Sequence, residues 1–125
     1  MTRTALVTGT SSGIGQACAV QLVSSGWRVL AGVRRAGEAP DGTDEVLLDV
    51  TAADQIRAAA DLVDQLDGLV NNAGIAISAP LEFVSPEELR HQLEVNLVGQ
   101  VAVTQAFLPA RRRAKGRIVF MGSIA

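Results

Sequence analysis

The sequence predicts an α/β protein with a doubly wound parallel sheet, and three observations support this fold class. Five short runs of apolar residues, typical of buried strands, alternate with segments whose apolar residues recur at helical spacing. Strands that alternate with helices form a parallel sheet with helices on both faces. The length of 125 residues and the hydrophobic content of 48% suit one globular domain, residues 1–125, without a linker or a repeat.

The first strand and the first helix are expected to meet at a glycine-rich loop. Residues 4–9 are a short apolar run that ends in glycine, which is typical of a buried strand. From Gly13 onward, apolar residues recur at the spacing of a helix face. We expect this helix to stop at Gly26, where a left-handed cap suits glycine. Residues 27–33 and 45–49 are the second and third predicted strands.

The second helix and the fourth strand follow. Residues 51–54, Thr-Ala-Ala-Asp, form an acidic variant of the capping box, so a helix should start there. Apolar residues at positions 56, 60, 63 and 66 would then hold one face of this helix up to Leu66. Gly68–Asn71 is the fourth predicted strand.

A long helical segment precedes the fifth strand. Residues 85–88, Ser-Pro-Glu-Glu, combine a cap, a proline at the first helical position and a glutamate at the third. The helical pattern is interrupted near Gly99 and resumes to about Pro109. The basic run at residues 111–115 is placed at a helix end, where cations suit the dipole, and it implies no partner. Residues 117–121 are the fifth predicted strand.

Composition excludes several classes of function. No apolar stretch approaches the ~20 residues that span a bilayer, and the first residues do not form a signal-peptide pattern. We therefore expect no membrane partner. The single Cys18 cannot form an internal disulfide, which fits a reducing, cytoplasmic location. One histidine and one cysteine argue against a structural zinc site, and no metal is expected.

The net charge of −2 hides a strong segregation of charge along the chain. Residues 1–37 carry a formal charge of +4, residues 38–94 carry −11, and residues 95–125 carry +5. A nucleic-acid binder would be possible if the two basic blocks met on one surface. One tryptophan and no tyrosine leave few platforms on which bases could stack, so we expect no nucleic-acid partner. Phosphate recognition is the better interpretation of the first block.

The first chemical motif is the loop Thr-Gly-Thr-Ser-Ser-Gly-Ile-Gly at residues 8–15. Its glycines let the backbone turn sharply and approach a pyrophosphate, and the following helix presents free N–H groups to that anion. A plain structural turn is the alternative, but the loop lies between a strand and a helix, as nucleotide binding requires. The residues predicted to bind the cofactor here are Gly9, Ser11, Ser12, Gly13, Ile14 and Gly15.

The glycine spacing in this loop resembles that of the short-chain dehydrogenase/reductase family, and four further segments agree in the same order. Asn-Asn-Ala-Gly at residues 71–74 is the most specific single match. Glu-Val-Asn-Leu-Val-Gly at 94–99 and Gly-Arg-Ile-Val-Phe-Met-Gly-Ser at 116–123 also match, and Leu-Asp-Val at 48–50 follows the third strand. The resemblance covers essentially the whole chain and implies a Rossmann-like domain.

The resemblance assigns cofactor contacts beyond the loop. Asp49 and Val50 would hold the adenine, although Asp49 could instead be an ordinary strand-end cap. Asn71 is expected to brace neighbouring backbone groups, and Asn72 to face the cofactor ribose. The residues expected to contact the cofactor after the fourth strand are Asn72, Ala73 and Gly74.

The resemblance also implies the reaction, a hydride transfer between a nicotinamide and a small-molecule alcohol or ketone. Asn96 resembles the family's catalytic asparagine, in a kinked helix whose freed backbone carbonyl holds a water for proton relay. Ser123 resembles the catalytic serine that polarises the substrate oxygen, with a plain loop hydroxyl as the alternative. The family forms homo-oligomers through the long helix around residues 97–113, and we expect the same of an intact parent.

The family's Tyr-xxx-Lys pair, in which the tyrosine moves the hydroxyl proton, lies downstream of the serine. This chain stops at Ala125 and contains no tyrosine. We expect that the chain is truncated after the fifth strand, because an end there would expose a strand edge and apolar surface. Without the Tyr-xxx-Lys pair, we expect it to be inactive alone. The alternative is a short, non-catalytic nucleotide-binding or interaction module.

The expected cofactor is NADP(H) in preference to NAD(H). An NAD-binding domain usually places an acidic residue at the end of the second strand, where it accepts hydrogen bonds from the ribose. Here that position is Val33, followed by Arg34 and Arg35. The Arg34 guanidinium can form charge-assisted bonds with a 2′-phosphate. Two solvated arginines are the alternative, and Ser12 lacks the positive charge that some NADP-dependent relatives place there.

Overall fold

The computed structural model describes residues 2–124, in which helices separate successive strands except the second and third, which follow one another directly. A single 3₁₀ turn, Leu81–Phe83, precedes the third α-helix, and a π-helical segment, Glu94–Gly99, joins the third and fourth. The strands are β1 (Thr4–Val7), β2 (Arg28–Val33), β3 (Asp44–Leu47), β4 (Gly68–Asn71) and β5 (Arg117–Phe120). The α-helices are α1 (Gly13–Ser24), α2 (Ala53–Ala60), α3 (Pro86–Leu93) and α4 (Gln100–Ala114).

The five strands form one parallel sheet, as predicted, in the order β3-β2-β1-β4-β5. Leu6 at the centre of β1 pairs with Leu30 of β2 on one side and with Leu69 of β4 on the other. The direction in which successive strands are added reverses at β1. In open α/β sheets, a crevice for ligands forms at the carboxyl ends of the strands where the order reverses. The topology therefore directs attention to the loops after β1 and β4.

Helices cover both faces of the sheet, and each face has its own apolar cluster. The larger cluster joins the sheet to α2 and α4 and includes Ile56, Val103 and Phe107. The smaller cluster joins Val7 and Val29 to α1. Because both faces are covered, the central strands are buried on both sides and read in sequence as continuous apolar runs. None of the helices among residues 2–124 is long and apolar enough to cross a membrane.

The boundaries of α1 and α3 agree with the sequence prediction. Backbone N–H groups that follow α1 donate to carbonyl groups of its last turn. Gly26 lies there with φ +88°, in the left-handed conformation that the sequence predicted. Ser85 caps α3 with both bonds of the capping box, since its side chain accepts from the Glu88 N–H and the Glu88 carboxylate accepts from the Ser85 N–H. The predicted limits of β2, β3 and β5 differ from the observed ones by one or two residues.

The prediction for α2 was wrong at both ends. The capping residue is Ala52, which offers no side-chain bond, because the Thr51 hydroxyl donates to the Asp49 carboxylate instead. The helix ends at Ala60, and Leu66 reaches the core from the following loop. The Leu66 N–H donates to a carbonyl of α4, so tertiary contacts satisfy the backbone where the apolar pattern suggested more helix.

The interruption predicted near Gly99 is the π-helical segment Glu94–Gly99. Close packing explains the glycine, since a Cβ at Gly99 would lie 2.7 Å from a methyl carbon of Val50. The predicted end at Pro109 was wrong. The helix accepts the loss of one backbone hydrogen bond at Pro109 and continues to Ala114, because its buried face, with Phe107 and Ala110, is packed in the larger cluster.

Candidate dinucleotide site

The loop after β1 is held in a shape that requires glycine. Gly9 and Gly13 adopt φ of +69° and +60°, which side chains rarely tolerate. A Cβ at Gly15 would collide with the Gly9 carbonyl oxygen and with the Asn72 amide nitrogen. A Cβ at Gly13 would meet no atom within 4 Å, so this side of the loop is open to a ligand. The first and third glycines therefore serve close packing, and the second leaves space.

The start of α1 lacks the usual protein partners for its free N–H groups. Ser12, at the capping position, makes no side-chain cap bond, and the first turn contains no acidic residue. In α3, by contrast, Ser85 and Glu88 satisfy the same groups. Unsatisfied N–H groups and the positive end of the helix dipole favour an anion. A helix start of this kind fits the pyrophosphate of a dinucleotide.

Thr8 fixes the loops after β1 and β4 against each other. Its buried hydroxyl oxygen accepts hydrogen bonds from the backbone N–H groups of Asn72 and Ala73, at 3.0 and 2.9 Å. The Asn72 side chain donates to the Gly9 carbonyl at 3.1 Å. These bonds rigidify both loops before any ligand binds.

The two asparagines at the end of β4 divide their roles differently from the expectation. Asn71 is 1% exposed, and its amide nitrogen donates to the Thr104 hydroxyl at 3.0 Å, which ties β4 to α4. Its side-chain oxygen has no hydrogen-bond partner among the described residues. Asn72 instead braces the backbone, the task expected of Asn71, since its amide is bonded to Gly9.

A cavity of about 260 Å³ opens beside these loops, at the carboxyl ends of the strands. Of the predicted cofactor-binding residues, Gly13, Ile14 and Gly15 lie at the start of α1 and are not part of the lining described for residues 2–124. The predicted residues that line the cavity are Gly9, Ser11, Ser12, Arg34, Asp49, Val50, Asn72, Ala73 and Gly74.

Asp49 is held in one orientation at the wall of this cavity. Its carboxylate accepts from the hydroxyl and the backbone N–H of Thr51, at 2.7 and 2.9 Å. These two bonds lower the pKa of Asp49, and the nearby positive charges of Arg34 and His91 lower it further, while burial acts in the opposite direction. The ionised form is therefore favoured, so that the cavity has one carboxylate facing one guanidinium.

Asn96 holds the loop after β4 from the helical side. Its side-chain oxygen accepts from the Ile75 N–H at 2.8 Å, and its amide nitrogen donates to the Ile75 carbonyl at 2.7 Å. The residue lies inside the π-helical segment, where the i to i+5 pattern displaces the backbone bonds of a regular helix. Asn96 thus anchors the loop after β4, and its expected part in catalysis stays a prediction.

Ser123 lies three residues beyond β5, in an exposed segment. It is not among the described residues that line the cavity, and neither is Asn96. The catalytic role of Ser123 therefore stays a prediction from the sequence. No group of three or more metal-ligating side chains comes together within residues 2–124.

Sequence reasoning missed several residues of the site; besides the three discussed next, the cavity is also lined by Gly32, Val33, Leu48, Thr51 and Ile75. His91 and Val95 line the cavity from α3 and the π-helical segment, and Thr8 fixes its loops. His91 and Val95 are four positions apart, directly before Asn96, so helical spacing could have placed them on one face. The role of Thr8 depends on contacts more than 60 positions away and has no local signal.

Comparison with known proteins decides the family. A model of the family described as short chain dehydrogenase matches residues 3–125. The chain belongs to the short-chain dehydrogenase family. It is 39% identical to the mitochondrial D-beta-hydroxybutyrate dehydrogenase of Bos taurus, over 95% of this chain and 40% of the relative. It is also 39% identical to human retinol dehydrogenase 16, over 94% of this chain and 42% of that protein.

Solved structures of short-chain dehydrogenases share the fold. A structure from Streptomyces avermitilis matches with a TM-score of 0.90 and 34% identity, over 98% of this chain and 50% of that chain. A structure from Burkholderia cenocepacia in complex with NADP matches with a TM-score of 0.89 and 32% identity, over 95% of this chain and 52% of that chain. The chain thus spans about half the length of these structures, and 40 to 42% of the two relatives named above.

Proposed function

We propose that the protein carrying this chain is an NADP(H)-dependent oxidoreductase that interconverts a hydroxyl and a carbonyl group of a small molecule. Membership of the short-chain dehydrogenase family supports the reaction class. The named relatives are dehydrogenases of hydroxybutyrate and of retinol, both of which carry a hydroxyl group. A small alcohol or ketone is accordingly the proposed substrate class.

Arg34 carries the proposal for the cofactor. Arg34 lines the cavity directly after β2. The residue before it, Val33, is 2% exposed and has no carboxylate to offer to the ribose. A ribose 2′-phosphate beside Arg34 would gain a charge-assisted hydrogen bond, worth about 1.5–3 kcal/mol. About 1.4 kcal/mol already gives a tenfold preference, so this one contact is sufficient.

The remaining parts of the site support the same proposal. The open start of α1 would receive the pyrophosphate, while Asp49 and Val50 line the cavity where the adenine is expected. The nicotinamide of a bound cofactor would supply the hydride chemistry. Asn96 fixes the loop after β4, and Ser123 is proposed to polarise the substrate oxygen. Proton transfer needs the tyrosine that this chain does not contain.

Equilibrium binding to matched variants tests the cofactor proposal. Dissociation constants for NADP⁺ and NAD⁺ would be measured for the wild type, Arg34→Ala and Arg35→Ala. The substitution at Arg34 should weaken NADP⁺ at least tenfold and leave NAD⁺ nearly unchanged. Arg35, which is exposed and outside the described cavity lining, is the control for a lost charge in the same loop. Equal affinity of the wild type for both cofactors would refute the preference.

Activity tests the reaction class separately. A protein that carries this chain together with a Tyr-xxx-Lys pair should oxidise or reduce members of a panel of alcohols and ketones. Absence of turnover despite cofactor binding would favour the non-catalytic nucleotide-binding module. Turnover by the 125-residue chain alone would contradict the proposed role of the tyrosine.

A further inference from the structure

A second cavity, of about 440 Å³, lies at the opposite ends of the strands from the dinucleotide site. It is formed where β1, β4 and β5 begin, whereas the first cavity lies where the strands end. The charged and aromatic side chains that line it are Arg3, Trp27, Asp67, Lys115 and Arg117. Nothing in the proposed dehydrogenase reaction uses these residues.

The lining brings together two basic regions that are far apart in the sequence. Arg3 comes from the basic first block of the chain, and Lys115 and Arg117 come from the basic last block. Asp67 is the acidic residue of the described lining, and its carboxylate accepts from the Thr4 N–H at 2.8 Å. Three cations thus share one cavity with a single carboxylate. Their mutual repulsion would be relieved by an anion that carries two or more charges.

Backbone hydrogen bonds hold all three cationic residues in place. The Arg3 carbonyl accepts from the Arg28 N–H at 2.9 Å, and the Arg117 N–H donates to the Asp67 carbonyl at 2.9 Å. The Lys115 N–H donates to the last turn of α4 at 3.2 Å. A site whose backbone is already ordered loses less conformational freedom when a ligand binds.

Lys115 and Trp27 add two features that a plain solvated surface does not require. Lys115 adopts φ +54°, at the helix-end position where glycine is preferred because it carries no steric penalty. The chain accepts this strain and places a cation at the cavity. The Arg3 guanidinium lies over the Trp27 ring, 5.7 Å from its centroid, which restrains the arginine beside the cavity.

We propose that this second cavity binds a polyvalent oxyanion of the phosphate type. Charge-assisted hydrogen bonds from two arginines and a lysine suit phosphate oxygens. The volume lies within the range of small-molecule sites, about 300–1,000 Å³, so the phosphate group of a larger molecule fits as well as the free ion. A nucleic acid would need a longer basic surface and more stacking side chains than the single Trp27.

Tryptophan fluorescence tests this proposal, because Trp27 is the single tryptophan of the chain. The full protein would be titrated with inorganic phosphate and, at equal ionic strength, with sodium chloride, and Trp27→Phe would identify the signal of this site. Phosphate should change the emission saturably and chloride should not. Arg3→Gln and Arg117→Gln should each raise the dissociation constant at least tenfold. Arg57→Gln, an exposed arginine on α2 outside the described lining, should leave it unchanged.

Lys115→Gly separates binding from folding. Glycine relieves the strained backbone, so this variant should unfold at a higher temperature than the wild type while binding phosphate more weakly. Co-sedimentation with phosphatidylcholine vesicles, with and without phosphatidic acid, distinguishes a lipid headgroup from a soluble phosphate. Saturable binding of either source that is lost in Arg117→Gln supports the site. The proposal is overturned if neither source binds, if Arg57→Gln weakens binding equally, or if only an oligonucleotide changes the emission.

Discussion

The substitution Gly15→Ala tests how the glycine loop is held together. Gly15 lies in the first turn of α1, and its missing side chain allows the loop after β1 and the loop after β4 to meet. A methyl group there would overlap the Gly9 carbonyl oxygen and the Asn72 amide nitrogen, two groups that are hydrogen-bonded to each other at 3.1 Å. The methyl group therefore cannot be accommodated unless this bond breaks or the loops separate.

Three contributions give the size of the effect. Inserting a methyl group into a close-packed position costs about 1–3 kcal/mol. Loss of the bond between Asn72 and Gly9 costs about 0.5–1.5 kcal/mol more. Alanine is a better helix former than glycine, which offsets up to about 1 kcal/mol of this cost. The free energy of unfolding should fall by about 0.5–4.5 kcal/mol, and NADP⁺ should bind more weakly because both loops line the cavity.

Denaturant unfolding and cofactor titration would measure both effects. For the unfolding measurement, Gly13→Ala is the control in the same loop, since its methyl group meets no atom of the described residues within 4 Å and adds only the strain of φ +60°. In an Asn72→Ala background, Gly15→Ala should cost less, because one of the two overlaps and the hydrogen bond are already gone. A Gly15→Ala protein as stable as the wild type, or strict additivity with Asn72→Ala, would refute the reasoning.

Two further predictions concern residues at the edge of the site. Thr51→Val removes the hydroxyl that lowers the pKa of Asp49, so this pKa should rise, as measured by NMR titration. Because the pKa of Asp49 is lowered by folding, its carboxylate stabilises the fold at a pH above its pKa in the unfolded chain, and this effect is lost as the pH falls through its pKa in the folded protein. The wild type and Thr51→Val should therefore differ in stability at neutral pH and converge in acid. Asn96→Ala removes both bonds to Ile75 and should lower the free energy of unfolding by about 1–3 kcal/mol; denaturant midpoints check this, and an unchanged midpoint would show that the loop after β4 is held by other contacts.

Local signals in the sequence were sufficient at the start of α3, where the partners are close along the chain. The capping box at Ser85 and Glu88 joins residues three positions apart, and both of its bonds form as predicted. The residues at 51–54 show the limit of such a pattern. Here Asp49, two positions earlier, competes successfully for the Thr51 hydroxyl, so a similar motif does not form a cap.

The sequence named part of the candidate site, but not the bonds inside it. The glycine-rich loop lies beside the cavity, and Arg34 and Asp49 both line it. That Asn72, and not Asn71, braces the backbone could not be read from adjacent positions in one motif. It depends on Thr104 and Gly9, which reach the asparagines from other elements.

The sequence by itself determined the class of fold and the family, and it named many of the residues that line the candidate cavity, because apolar periodicity, helix caps and glycine spacing act over a few neighbouring residues. Tertiary structure decided which side chains contact one another across strands and helices. It placed His91 at the cavity that Asp49 lines, and it placed Arg3 and Lys115 at the second cavity, at the opposite ends of the strands. Contacts of this kind depend on strand order and on the path of each loop, and these are set by how the whole core packs.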